Sequence, residues 1–228
     1  MNRTTFNTIC NAIIDNIEGG YYNPSYYEQY PDKFAGYEIS GETMYGLDRR
    51  NGGNTVNNSE SGKKFWAIVD TAFKNGKNNV KWWGDKADGK KYVSAEIGKQ
   101  LRPLAWDIIF MLFNANAKFL NEKALKAVLS DKKLLTQFIY ACWNGSGHFK
   151  TFAEIMNKAF AEGKSNAEIY DLIQQQRRKI NRFFALGADK LDKVVGMLKG
   201  NFWLWAIGIA VTVFGIFAFS KNSKTDTE

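Results

Sequence analysis

The stretch TTFNTICNAIIDNIEGG (residues 4–20) decides how the fold begins. Phe6, Ile9, Cys10, Ile13, Ile14 and Ile17 recur at spacings of three, one, three, one and three, which sets them on one face of an α-helix. Gly19-Gly20 then stops the helix, so Glu18 is its last residue or its cap. A carboxylate there faces the negative end of the helix dipole. Partial burial would add to that, and both effects raise its pKa.

The next segment reads differently. Residues 19–60 are rich in Gly, Asn, Tyr and Ser and hold Pro24 and Pro31, which predicts loop with short strands. A helix comes next over about 62–75, with Phe65, Trp66, Ile68, Val69, Ala72 and Phe73 apolar and Asn75-Gly76 as its stop. Residues 79–93 predict two short strands around an Asp88-Gly89 turn. From Ser94 onward the pattern is helical. Pro103 suits the first turn of a helix reaching about Leu120. Leu125, Val128 and Leu129 mark another; Leu134, Leu135, Phe138, Ile139 and Cys142 mark a third, ended by Asn144-Gly145. Residues 149–162 form a fourth, and Ser165 with Glu168 opens a fifth by a capping box, running to about Phe184. The expected fold is mainly α, of α+β type: a two-lobe helical domain over 1–185 with a small loop-and-strand region. Its first segment covers about 1–78 and its helical segment about 79–185. A basic amphipathic linker is expected over 186–201.

The C-terminal run FWLWAIGIAVTVFGIFAF, Phe202–Phe219, carries no charge. As a helix it would span about 27 Å, near the thickness of a hydrocarbon core. Phe202, Trp203 and Trp205 suit a headgroup layer, and Lys199, Lys221 and Lys224 flank the run. A single transmembrane helix over 202–219 with a polar tail over 220–228 is therefore expected, making a lipid bilayer one partner. The N-terminus has no continuous apolar run of the kind a signal peptide needs. The net charge of +8 suits an anionic partner. No nucleic-acid motif is present, which favours a membrane surface or an acidic cell-wall polymer over nucleic acid. Two cysteines and one histidine cannot supply the usual zinc sets, so no metal or other cofactor is expected. Cys10 and Cys142 read as small core residues, and a Cys142/His148 peptidase dyad is disfavoured by the apolar face that carries Cys142.

Glu18 is the candidate for chemistry. A glutamic acid kept protonated near neutral pH can give a proton to a leaving oxygen, as glycoside cleavage requires. Gly19 and Gly20 leave backbone room for a sugar chain. Tyr21, Tyr22, Tyr26, Tyr27, Tyr30, Tyr37 and Tyr45 crowd one region, and aromatic faces stack on sugar rings. Glu18-Gly19-Gly20-Tyr21-Tyr22-Asn23-Pro24, followed by Ser40-Gly41-Glu42-Thr43-Met44-Tyr45-Gly46-Leu47, resembles the signature of N-acetylmuramidases of glycoside hydrolase family 108. That pattern is E-G-G-Y-x-N, then an Asp shortly before G-G-x-T-x-x-G-[IL]. Trp143–Phe149 and the 174–184 helix are also similar to phage muramidases.

The resemblance implies a lysozyme-like fold and cleavage of the peptidoglycan glycan strand. Glu18 would be the general acid, with Glu38 and Thr43 completing the catalytic set and Gly19, Gly20, Tyr21, Tyr45 and His148 binding substrate. Three departures stand out. The spacing from Glu18 to Thr43 is longer than in the family, so residues 26–37 read as an insertion. Ser40 replaces the first glycine, and Glu38 stands where the family has Asp. Glu28, Asp32 and Glu42 are rival second carboxylates. The implied activity is hydrolysis of the β-1,4 bond between N-acetylmuramic acid and N-acetylglucosamine. The alternatives are lytic transglycosylation and glycan binding without turnover. The architecture suits a virion membrane of a lipid-containing phage or a host inner membrane, with phage structural proteins as further partners. Basic residues before the span (Arg177, Arg178, Lys179, Arg182, Lys190, Lys193, Lys199) place the domain on the cytoplasmic side by the positive-inside rule. Peptidoglycan is not there, and display on a particle would resolve the conflict.

Overall fold

The computed structural model describes residues 2–22, 42–73, 93–182 and 184–198. They form a mainly helical protein with one small sheet. Helix α1 (Arg3–Ile13) is capped by the Asn2 side chain and buries Phe6, Ile9, Cys10 and Ile13, as the spacing predicts. Strands β1 (Tyr21–Tyr22), β2 (Thr43–Met44) and β3 (Leu47–Asp48) make an antiparallel sheet in that order, with Tyr21 opposite Met44 and Thr43 opposite Asp48. Helices α2 (Gly53–Asn57) and α3 (Glu60–Phe73) come next. The expected strands around Asp88-Gly89 lie outside the described residues.

Helix α4 (Ala95–Asn116) starts earlier than the proline suggests, because Ser94 caps it by accepting from the Ile97 N–H. Pro103 therefore sits inside the helix and not in its first turn. Pro103 and Lys99 are both exposed, so the carbonyl left without an intrahelical donor lies on the helix's outer face and not in the core. The polar face of α1 is tied to α4: Arg102 pairs with Asp15 at 2.6 Å, and the Trp106 Nε1–H donates to Asn11 at 3.1 Å. Arg3 also pairs with Asp107.

Helices α5 (Glu122–Ser130), α6 (Lys132–Trp143), α7 (Ser146–Ala161) and α8 (Asn166–Ile180) complete the expected series. The capping box of Ser165 and Glu168 is present. Helix α6 is the centre. All residues from Leu134 to Cys142 are buried, polar Thr136, Gln137 and Tyr140 included, because α1, α4, α5, α7 and α8 all pack against it. Cys10 and Cys142 are free and buried, as their apolar settings predict. Burial pushes both thiols up, which suits inert core residues.

Helix α8 ends at Ile180, short of Phe184, because Asn181 is extended (φ −167°) and its side chain accepts from the Phe184 N–H, capping a new helix. That helix, α9 (184–198), is no free linker. Ala188, Leu191, Val194, Val195 and Leu198 are buried, and all but Ala188 join the core cluster that begins at Phe6. Over residues 186–198 the apolar face of the expected linker thus belongs to the domain, and Lys132 Nζ donates to the Leu198 carbonyl at 3.0 Å. Among the described residues no helix is long and apolar enough to cross a membrane. The span expected over 202–219 lies outside them.

Candidate active site

The chain reaches Glu18 through a change of helix type. After Ile13 the α-helix gives way to a π turn, Ile14–Glu18. Such wide turns recur at functional sites. The turn shifts the phase of the residues after Ile13: Ile13 and Ile14 are buried, whereas Ile17, expected on the same stripe, is only partly so. Glu18 retains intermediate exposure as a residue, while its carboxyl is enclosed by protein groups. The Tyr140 hydroxyl and the charges of Lys190 and Arg177 stand near enough to act on it. Its pKa is raised from 4.5 to about 7. Burial is the largest cause; the Tyr140 hydrogen bond and then the charges of Lys190 and Arg177 oppose it. Desolvation thus leads, ahead of the helix dipole that the sequence brings to mind first.

The other wall is the turn between β2 and β3. Tyr45 and Gly46 both have positive φ, 52° and 71°, the arrangement of a two-residue hairpin turn. This conformation costs a non-glycine residue about 1 kcal/mol. It is held by the Trp143 Nε1–H, which donates to the Tyr45 carbonyl at 2.7 Å, and by the Tyr45 N–H, which donates to Gly20 at 3.0 Å. Gly46 is required for space as well. A Cβ there would stand 2.2 Å from Glu18 Oε2 and 2.9 Å from Trp143 Cδ1.

Two cavities flank this turn. The larger, about 480 Å³, is lined by Asp15, Gly19, Gly20, Tyr45, Lys99 and Arg102 among others. The smaller, about 250 Å³, is lined by Gly46, Asp48, Asn51, Trp143 and Asn144 among others. Glu18 lines neither. Its chain neighbours Gly19 and Gly20 border the first, and Gly46 and Trp143, which its carboxyl meets, border the second.

Of the residues singled out by the sequence, Glu18, Gly19, Gly20 and Tyr45 come together. Tyr21 is buried, and its hydroxyl donates to Glu42 at 2.6 Å. Thr43 stands in register with Tyr22 and Asp48, three positions before Gly46. Glu42 is also paired with Arg49 at 2.8 Å, which ties up this rival carboxylate structurally. His148 lies in the first turn of α7, not in a loop, with its ring 4.5 Å from that of Phe184, and it lines neither cavity. Burial and Arg177 both lower its pKa. Glu38, Glu28 and Asp32 lie outside the described residues, as do Tyr26, Tyr27, Tyr30 and Tyr37. No group of three or more His, Cys, Asp or Glu side chains among the described residues could hold a metal ion.

Sequence reasoning gave no site role to Tyr140, Trp143, Asn144 or Arg177, although the last three fall in stretches that resemble phage muramidases. Arg177 reads as one of the basic residues flanking the expected span, yet it is fully buried. Its guanidinium lies 4.6 Å from the Tyr140 ring centroid and 4.7 Å from that of Phe152. The usable signal is position: Ile169, Ile173 and Arg177 recur every four residues on the buried face of α8. Compared with protein-family models, with curated proteins and with solved structures, the chain matches none.

Proposed function

We propose that this protein is a membrane-anchored muralytic glycosidase of lysozyme-like organisation, acting on the glycan strand of peptidoglycan with Glu18 as general acid. The observation that carries the reading is the Glu18 carboxyl itself. It is enclosed between a tyrosine–glycine turn and a tyrosine hydroxyl and is held partly protonated near neutral pH. A proton held there at pH 7 is what departure of a glycosidic oxygen needs. In the step proposed, the bond from the anomeric carbon to that oxygen breaks and the oxygen takes the Glu18 proton. In hydrolysis a water then adds to the anomeric carbon and yields a proton to a carboxylate; in lytic transglycosylation the muramic acid 6-hydroxyl adds and returns its proton to the ionised Glu18. The structural commitment of Glu42 to Tyr21 and Arg49 turns the search for a second carboxylate to Glu28, Asp32 and Glu38, of which Glu38 has the support of the motif.

The test is turnover by the full chain in mild detergent, beside Glu18→Gln, on purified peptidoglycan. The wild type is expected to release soluble muropeptides and the variant to lose at least about a hundredfold in rate. Equal release by the two would sink the assignment. Product masses separate hydrolysis from transglycosylation by the presence of anhydro ends. The alternative is glycan binding without turnover. Retention on peptidoglycan with no soluble product would decide for that reading.

A further inference from the structure

Three large apolar side chains stand exposed among the described residues: Leu129, Leu186 and Met197. Two of them belong to α9, where the helical repeat sets them in one line. Leu186, Lys190, Lys193 and Met197 follow at spacings of four, three and four, and all are exposed. The stripe they make is about 16 Å long. It lies opposite the face that Ala188, Leu191, Val194 and Leu198 bury in the domain. The carboxylates of α9 are drawn to one side: Asp189 and Asp192 pair with Arg178 of α8 at 3.2 and 2.7 Å, and Asp192 also accepts from the Tyr170 hydroxyl. What α9 turns outward is thus an apolar residue at each end with two lysines between. Met197 also has company at its end. The bond from Lys132 Nζ to the Leu198 carbonyl sets the start of α6 against the end of α9. Lys126 and Leu129, both exposed, stand within two turns before that start, on one face of α5. The uncharged run Phe202–Phe219 begins four residues beyond Leu198.

We propose that the outer stripe of α9, with Leu129 beside its end, docks the domain on an anionic lipid surface. The apolar side chains enter the headgroup layer, and Lys190 and Lys193 meet lipid phosphates. A helix that lines up apolar residues with lysines takes this place at a membrane interface. The lysine methylenes lie along the apolar layer while the ammonium groups reach the phosphates. Each lysine adds about a fivefold preference for an anionic over a neutral surface. Three apolar side chains and two lysines make a weak site for a free protein. Tethering through residues 202–219 would supply the local concentration that makes it sufficient. The docking rests on the anchor proposed for those residues and is independent of cleavage by Glu18. The anchor keeps the domain near the bilayer; the stripe decides which of its sides faces the lipid.

The experiment places a fluorescent maleimide on the full chain at one introduced cysteine: Leu186→Cys, Met197→Cys, or Lys64→Cys on α3, which packs against α2 and α4. The native Cys10 and Cys142 are buried. Each protein is reconstituted into bilayers of equal parts phosphatidylcholine and phosphatidylglycerol that carry a nitroxide on a lipid headgroup. Labels at 186 and 197 are expected to be quenched and the label at 64 to stay bright. Lys190→Gln together with Lys193→Gln should lower the ratio of docked to lifted domain about twenty-five-fold, and bilayers of phosphatidylcholine alone should release the labels in the same way. Equal quenching at 186, 197 and 64, in protein that still floats with the vesicles, would overturn the docking face and keep the anchor. A chain that does not float with vesicles would overturn both. A dimer in detergent that Met197→Glu splits, with no quenching in bilayers, would give the face to a second copy of the chain and overturn the docking as well.

Discussion

Replacing Glu18 by Gln should change the pH dependence of stability, whatever the protein does catalytically. The folded carboxyl titrates near 7 against 4.5 for the ordinary group. Between those values the folded state binds more protons than the unfolded state, so stability falls as pH rises. Below 4.5 both states are protonated, and the residue has the charge of glutamine. Above 7 both are ionised, and the folded state carries the full penalty of a desolvated carboxylate. A difference of this size corresponds to about 3 kcal/mol, an upper bound because the residue keeps some access to water. The assay is urea unfolding of the full chain in mild detergent, followed by tryptophan fluorescence at pH 4, 5.5 and 8, for wild type and Glu18→Gln. The two should be close at pH 4. The variant should become the more stable by up to about 3 kcal/mol at pH 8. Every other titrating group cancels in the difference. A gap that stays constant from pH 4 to pH 8 would refute the claim that burial dominates this carboxyl.

Three further outcomes rest on the same geometry. Gly46→Ala places a methyl 2.2 Å from Glu18 Oε2 at a φ of +71°, so it should cost at least about 2 kcal/mol in unfolding free energy and move the Glu18 midpoint. Trp143→Phe removes the 2.7 Å bond that holds the Tyr45 carbonyl, and should cost about 1–3 kcal/mol by denaturant titration. Leu191→Ala should cost about 2–5 kcal/mol, and a chain ended at residue 185 should show no cooperative unfolding transition, because it loses the buried face of α9.

How much of this can be read from the chain depends on whether a residue's role is local. The buried face of α1, the cap at Ser165 and the core placement of Cys142 come from spacing and from short-range hydrogen bonding, and all three are found. The π turn is not legible, because an insertion into helical phase leaves the apolar pattern nearly intact; only Ile17 betrays it. Pro103 misleads because a proline says where a donor is missing, not whether the orphaned carbonyl lies on the helix's outer face. Glu18 is found through its neighbours in sequence. Its partners Tyr140 and Arg177 are not, because they lie more than a hundred residues away and read as an apolar-helix aromatic and a flanking charge. Gly46 is legible as a motif position, but the reason for it, the approach of a distant carboxyl, is not.

Placing α9 in the core changes what an anchor would mean here. A basic linker between domain and membrane, as the sequence suggests, would let the active site range away from the bilayer. Instead the described helix runs to residue 198 with Leu198 buried and its carbonyl bound by Lys132. Four peptide steps separate Leu198 from Phe202, where the uncharged run begins. Fully extended they reach at most about 14 Å. Were residues 202–219 in a bilayer, as proposed, the domain would thus be held against the membrane surface. On the function proposed above, a protein built this way would cut glycan that is brought to its membrane, as when a particle bearing it presses on a cell wall, and not glycan at a distance. Lengthening the join should separate the two ideas. A flexible insert of about twenty Gly and Ser residues after residue 200 adds a root-mean-square reach of about 25 Å. It should raise the release of muropeptides from intact sacculi by vesicle-bound protein and leave release from soluble glycan fragments unchanged. Equal rates on sacculi with and without the insert would show that tethering distance does not limit access.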